Sequence, residues 1–419
     1  MGKNEFINYY IGDDFFMKIL VIHHSGLLGG GTLSCFDIIN FLKKNGHNVL
    51  LSLPLGNNAA RQKAKEEKIN VLDDNICPIC FGYYNGGANI LKVIIRYLLS
   101  IKYRKKWDVI LKREKPDIVV LNSIIQWPMI PILNKNNIKN ICFVRETMRG
   151  SRKNIINKII AMNLEKSSAI SYLSQYDMEE WKLDNKIIQR IIPDSVNIEE
   201  FKKNINKNDA KKALSLKKDA KYILYVGGMY KLKGAKTIIR AINEIKDEDF
   251  KLLFLGDLGS ELIKSNGINR IRFNSRIKFI KQLHKYIVKN ELDNKIIFIG
   301  IKEDMRYWYA ASDFVVFPAE NAHQARPIYE SGVFKSPAIV SDFPNYYEYL
   351  HPEISGLVFE PNNYKELAQS IKRLLRDEKL CLNLGQNNYL LTEKYHDNKK
   401  ISKLVSNLVN EININKKII

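Results

Sequence analysis

Residues 310–330 read Ala310-Ala311-Ser312-Asp313-Phe314-Val315-Val316-Phe317-Pro318-Ala319-Glu320-Asn321-Ala322-His323-Gln324-Ala325-Arg326-Pro327-Ile328-Tyr329-Glu330. The apolar run Phe314–Phe317 is a strand that stops at Pro318. Pro327 suits the first position of a helix, where a missing N–H costs nothing. The free amides just before it would point at an anion, with Arg326 beside them. Glu330 lies about one turn further and can accept from two vicinal hydroxyls. A diphosphate next to a ribose satisfies both features.

Working outward, short β-rich runs alternate with longer amphipathic segments. Lys18–His23, Asn48–Leu53, Ile118–Leu121, Asn140–Val144 and Ala169–Leu173 are expected strands. Leu28–Asn45 is the first expected helix, with Gly46 just past its end. This alternation predicts a parallel sheet covered by helices. Asn197–Lys218 is polar and Lys-rich and reads as a linker. After it the order restarts with Tyr222–Val226, a glycine turn and the helix Ala235–Glu244. Lys251–Leu255, Lys295–Ile299, Phe314–Pro318 and Ala338–Ser341 are further strands, and the tail from Tyr364 has helical periodicity. The last four residues are expected to fray. Two α/β units result, 17–200 and 201–385, followed by a helical segment, 386–419.

Two glycine turns join strand to helix. The first, Ser25-Gly26-Leu27-Leu28-Gly29-Gly30-Gly31-Thr32, lets backbone approach a ligand ahead of a helix N-terminus. It fits neither the dinucleotide fingerprint nor the P-loop, which counts against a nicotinamide cofactor and an ATPase. A tight turn without a ligand is its alternative. The second, Gly227-Gly228-Met229-Tyr230-Lys231-Leu232-Lys233-Gly234, carries Lys233, which can reach a phosphate as a point charge. Its alternative is one more solvated lysine.

Composition narrows the classes. The 419 residues are 45% hydrophobic and 10% aromatic, which excludes whole-chain disorder, collagen and coiled coil. Five cysteines are too few for a disulfide scaffold and suggest a reducing compartment. No run of about 18 apolar residues could span a bilayer. Glu5, Asp13 and Asp14 argue against a signal peptide, and Phe6 against myristoylation at Gly2. Residues 1–16 read as a dispensable extension. The net charge of +21 fits an anionic partner, an anionic substrate or plain Lys-rich composition.

The resemblance rests on Gly29-Gly30-Gly31, Val226-Gly227 followed by Lys233-Gly234, Leu255-Gly256-Asp257 and Phe298-Ile299-Gly300. It continues through Ala311-Ser312-Asp313, Glu330, Ser355-Gly356-Leu357-Val358 and Pro361. Over residues 17–385 the chain resembles the retaining, nucleotide-sugar-dependent glycosyltransferases of family four, the group 1 enzymes. The resemblance implies a GT-B fold, α/β, with two facing Rossmann-like domains and a cleft between them. The first domain would bind the acceptor and the second the nucleotide-sugar, with the last helix crossing back onto the first. It further implies that an Arg and a Lys after the second-domain glycine turn hold the donor diphosphate. Lys233 fits the Lys, while Gly228 stands at the Arg position and Arg326 is the candidate replacement. Of two glutamates separated by seven residues, Glu330 fits the second, which holds the ribose. Ala322 stands at the first, which meets the donor sugar, and His323 is the candidate to take over part of that role.

The expected catalytic set is therefore Lys233, Arg326 and Glu330. The expected donor-binding set is Gly29, Gly30, Gly227, Gly228, Gly300, His323, Gln324 and Ala325. His23, His24, Arg145 and Glu146 lie at strand ends on the expected acceptor side, where open α/β sheets bind ligands. Packed or surface imidazoles are the alternative for the two histidines. The family's acceptor-side His has Asn122 at the nearest place. No metal and no cofactor is expected, the nucleotide-sugar being substrate. The acceptor class implied is a saccharide or a lipid-linked one, for a surface glycan such as lipopolysaccharide or capsule. A non-catalytic relative serving as a binding or partner subunit is the alternative, motivated by Gly228 and Ala322. A nucleic-acid partner is not expected, because no signature for one stands out.

Two local signals remain. Cys77-Pro78-Ile79-Cys80 is a lone C-x-x-C without a second pair near it, and a plain loop is expected over a zinc site. Asn89–Trp107 reads as a basic, apolar and aromatic helix. Within 92–107 it carries Lys92, Arg96, Lys102, Arg104, Lys105 and Lys106 and no acidic residue. Such a helix suits the headgroup layer of an anionic membrane; a core helix with a solvated basic end is the alternative. The expected location is cytoplasmic, peripheral on the inner membrane face where that helix docks.

Overall fold

A computed structural model describes residues 16–56, 58–73, 76–82, 90–148, 154–264 and 274–414. The expected extension at 1–16, save Phe16, and the frayed end at 416–419 lie outside the described residues. Two parallel sheets organise the chain. The first contains β1 (Lys18–Ile22), β2 (Asn48–Ser52), β3 (Asn70–Val71), β4 (Ile118–Leu121), β5 (Lys139–Val144), β6 (Ala169–Tyr172) and β7 (Ile188–Ile191). Its spatial order is β3-β2-β1-β4-β5-β6-β7. The second contains β8 (Tyr222–Val226), β9 (Lys251–Leu255), β10 (Ile296–Gly300), β11 (Phe314–Phe317), β12 (Ala338–Ser341) and β13 (Gly356–Phe359), ordered β10-β9-β8-β11-β12-β13. This is the GT-B architecture.

The central strands are buried along their whole length, as Ile118-Val119-Val120-Leu121 and Phe314-Val315-Val316-Phe317 illustrate. Near-continuous apolar runs are what a sheet covered on both faces requires. In each sheet the order reverses once, between β1 and β4 and between β8 and β11. Those reversals open a crevice at the carboxyl ends of the strands, the place where open α/β sheets bind ligands.

The stretch 197–218 is not a linker. It forms helices Ile198–Lys202 and Lys207–Ala213, and the second packs on helix Arg306–Ala311 through Ala210, Ala310 and Ala311. Lys211 Nζ turns inward and donates to the carbonyls of Lys218 and Ala220 at 2.8 Å each. The lysines concealed a small apolar stripe that only the docked surface makes sense of. The edge strands β3, β7 and β13 carry no strong periodicity of their own and were not expected as strands. The expected helix Asn89–Trp107 is broken: Ile90–Ile101 and Arg104–Glu114 are separate helices. Among the described residues no helix is long and apolar enough to cross a membrane.

The chain passes between the domains twice, side by side. Val196 pairs with Asp397, and the Val196 amide donates to the His396 carbonyl at 2.8 Å. Helix Asn398–Ile414 then lies on helix Gly30–Lys44 of the first domain. Ile401, Val405, Leu408, Val409 and Ile412 recur at helical spacing and join that domain's core. Each such side chain, fully buried, contributes about 1.5–3 kcal/mol. The domains also meet where Glu348 accepts from the amides of Gln175 and Tyr176, 2.9 Å each, capping helix Gln175–Trp181.

Candidate active site

The site is built at the two sheet reversals. On the second domain, β8 runs into the glycine turn 227–234. The Tyr225 hydroxyl bridges that turn, donating to the carbonyls of Gly228 (3.0 Å) and Lys233 (3.2 Å). Gly234 has φ +77°, and a Cβ there would stand 1.7 Å from the Pro318 carbonyl oxygen. Only glycine lets the turn after β8 close onto the end of β11. This contact carries Lys233 to the segment 317–323.

There the Lys233 ammonium donates to His323 Nε2 at 2.5 Å and lies 5.2 Å from the centre of the Phe317 ring. His323 Nδ1 donates to the Asn321 carbonyl at 2.8 Å, which leaves Nε2 as the acceptor and fixes a neutral ring. Lys233 and His323 are half-buried, and protein crowds both. Burial lowers Lys233 to about 8, and burial together with the neighbouring ammonium lowers His323 to about 3. Among the described residues no carboxylate lies within salt-bridge distance of Lys233. A crowded ammonium whose nearest partner is a neutral imidazole is a place for an anion.

Helix Arg326–Gly332 begins beside it, with Pro327 in its first turn. Arg326 Nε donates to Glu330 Oε1 at 3.0 Å, and the Tyr309 hydroxyl donates to Glu330 Oε2 at 2.6 Å. Glu330 is thus held from both sides. The rest of the guanidinium crosses to the first domain. Nη1 donates to Ser34 Oγ at 3.2 Å and lies 4.0 Å from Asp37, while Nη2 donates to the Ser195 carbonyl at 3.5 Å. A Cβ on Gly30 would stand 3.0 Å from Arg326 Cδ. The first-domain glycine loop and the second-domain helix therefore face each other across the cleft. Gln324 also faces the first domain, with Nε2 3.4 Å from Asp177 Oδ2. Ala325 is buried in the core and can offer only its backbone. Gly227 and Gly228 donate their amides to the Leu255 carbonyl. Gly300 closes β10 with φ +83° and open space around its Cα. Gly29 caps helix Gly30–Lys44 from its N-terminal side.

On the first domain the polar residues form one chain of hydrogen bonds. Arg145 Nε donates to Asn122 Oδ1 at 2.8 Å. Asn122 Nδ2 donates to His23 Nδ1 and to the Gly31 carbonyl, 3.0 Å each. His23 Nε2 then donates to Thr32 Oγ1 at 3.0 Å, and the Thr32 hydroxyl donates to the Leu27 carbonyl at 2.6 Å. Every proton in this chain has one consistent place. His23 is buried, and burial plus the nearby His24 and Arg145 lower it to about 3. It acts as a neutral brace for the glycine loop. Arg145 is locked further by Asp194, and burial raises Glu146, which caps the turn at 124–129 through Ser123 Oγ and the Ile124 amide. His24 differs from its neighbours: its buried Nδ1 has no hydrogen-bond partner among the described residues, and burial holds it at about 4.

The structure thus gathers Lys233, His323, Arg326 and Glu330 with Gly30 at the cleft. Arg96, Lys102, Arg104, Lys105 and Lys106 lie elsewhere, on the outer surface of the first domain. Ser34, Ser195 and Tyr309 were missed, since each meets the site only through tertiary contact. Cys77 and Cys80 are free thiols, and among the described residues no cluster of His, Cys, Asp or Glu could hold a metal.

Residues 206–391 match the family model of the glycosyl transferases group 1. The second domain is thus similar to that of the group 1 glycosyl transferases. The chain is 25% identical over 179 residues to an uncharacterised glycosyltransferase of Methanocaldococcus jannaschii, covering 42% of this chain and 44% of that one. It is 24% identical over 238 residues to the capsular polysaccharide biosynthesis glycosyltransferase CapM of Staphylococcus aureus, covering 55% of this chain and 52% of that one. The matched region spans about half the length of these relatives. In fold it is similar to Anabaena HepE, solved in complex with UDP-glucose. The TM-score is 0.75 at 16% identity, covering 94% of this chain and 100% of that one.

Proposed function

We propose that this protein transfers a sugar, with retention, from a nucleotide-sugar to a saccharide or lipid-linked acceptor. The observation that carries the reading is the crowded Lys233 ammonium in the interdomain cleft, without a carboxylate partner among the described residues. The family match, the CapM likeness and the HepE complex support the same class.

In this reading the bond between the anomeric carbon and the diphosphate breaks, and negative charge gathers on the leaving diphosphate. Lys233 stabilises it, with the amides around Ala325 adding partial positive charge. His323 keeps the ammonium aimed while staying neutral. Glu330 offers its remaining lone pairs to the ribose hydroxyls. Arg326 holds Glu330 in place and ties the donor side to the first domain. The acceptor enters against the glycine loop and His24; its hydroxyl oxygen forms the new bond to the anomeric carbon, and its proton passes to the leaving diphosphate.

The test is thermal stabilisation of the purified chain by UDP, GDP, ADP, CMP and their common sugar conjugates. A ligand at about 100 times its dissociation constant adds about 2.7 kcal/mol. A shift with one nucleotide fixes the donor class. No shift with any of them overturns the donor reading and returns the chain to the non-catalytic alternative.

A further inference from the structure

Helix Ile90–Ile101 is turned inside out for a soluble protein. Val93 and Tyr97 face inward, and Tyr97 stacks on Trp127. Leu91, Leu98 and Leu99, 60–62% exposed, and Ile94 and Ile95 face outward. Positions 91, 94, 95 and 98 share one helical face. An apolar stripe of this kind left bare marks an interaction surface.

A second helix continues the pattern. Helix Ile155–Leu164 packs on the same segment, 124–129, that Tyr97 touches. It exposes Ile155, Ile159 and Met162, with Lys158 between them. Beyond the first stripe stand Lys102, Arg104, Lys105 and Lys106, all exposed. Neither 90–106 nor 154–164 contains an acidic residue. Segment 124–129 follows the carboxyl end of β4, so this face borders the ligand end of the first sheet.

We propose that these two helices together dock the protein onto an anionic lipid bilayer. The leucines and isoleucines enter the boundary between headgroups and acyl chains, about 5–10 Å deep. The cations remain at headgroup level, where an anionic leaflet attracts them. Charge decides against a second copy as the occupant: a two-fold contact between these faces would bring in the cations of both copies with no acidic residue in 90–106 or 154–164 to pair with them. The proposal is independent of the donor reading. Where it rests on the function proposed above, it adds that the acceptor side of the cleft is held beside the membrane.

The experiment is co-sedimentation of the full chain with phosphatidylcholine vesicles, with and without phosphatidylglycerol. Three variants accompany it: L98D/L99D, I159D/M162D, and the charge reversal K102E/R104E/K105E/K106E. Wild type should pellet with the phosphatidylglycerol vesicles only, and added salt should weaken it. Each variant should lose binding at least about tenfold while keeping its melting temperature and its nucleotide response. No pelleting of the wild type overturns the proposal, as does full binding by the charge reversal. If I159D/M162D alone binds like the wild type, the two-helix face is overturned. A concentration-dependent dimer that L98D/L99D abolishes would assign the face to a second copy and overturn it as well.

Discussion

Arg326 Nη1 in the second domain donates to Ser34 Oγ in the first across 3.2 Å. The same guanidinium holds Glu330 through Nε at 3.0 Å. One side chain thus joins the expected ribose acceptor to the opposite wall of the cleft. Removing one partner of a buried pair costs about 3–5 kcal/mol. Arg326→Ala should lower stability by about 3 kcal/mol in a denaturant titration, and Ser34→Ala by about 1 kcal/mol or less. An unchanged midpoint for Arg326→Ala would mean that the pair contributes nothing.

Lys233 gives the site a pH response. Its folded pKa of about 8 lies below the ordinary 10.5. Between those values the unfolded chain holds more protons, so the unliganded protein gains stability as pH rises through that window. A diphosphate prefers the protonated ammonium, so binding moves the other way. Nucleotide affinity should be level below pH 7 and about tenfold weaker by pH 9. Lys233→Met should bind weakly at every pH, with a flat calorimetric profile; a sloping one would place the titrating group elsewhere.

Glu330→Ala should weaken nucleotide binding more than Glu320→Ala. Glu330 is held by Arg326 and Tyr309, whereas Glu320 is tied to the glycine turn through its amide, which donates to the Leu232 carbonyl at 3.0 Å. Calorimetry on both variants decides, and the reverse order would mean that the wrong carboxylate has been assigned.

Gly228, where the resemblance implies an arginine, leaves no room for one. Its φ is +61°, and a Cβ there would stand 2.6 Å from both the amide nitrogen and the carbonyl oxygen of Asp257. Gly228→Ala should cost more than about 1 kcal/mol, the backbone part alone. Gly228→Arg should melt lower still and should not tighten nucleotide binding. Tighter binding by a stable Gly228→Arg would refute this geometry.

Turnover should survive a chelator, because Lys233 supplies the positive charge that the leaving diphosphate needs. Activity that vanishes with EDTA and returns with Mg²⁺ or Mn²⁺ would refute metal independence.

The strands were legible because they are buried on both faces: Ile118–Leu121 and Tyr222–Val226 are apolar runs that nothing but a covered parallel sheet accounts for. The glycine turns and Pro327 marked where strand gives way to helix, since their backbone chemistry is local. Periodicity also marked the closing helices, whose stripes are written every three or four residues. What the sequence alone could not determine is which side chains meet. Lys233 and His323 are 90 residues apart, and Arg326 and Ser34 are 292 apart. His23 has the residue type of a catalytic base, yet Asn122 and Thr32 occupy both its nitrogens and make it a brace. The segment 197–218 read as linker because its lysines dominate, while the few alanines that dock it gain their energy only against helix Arg306–Ala311. Local propensity is set by neighbours along the chain. Burial, protonation and pairing are set by neighbours in space, and those exist only once the two domains have folded against each other.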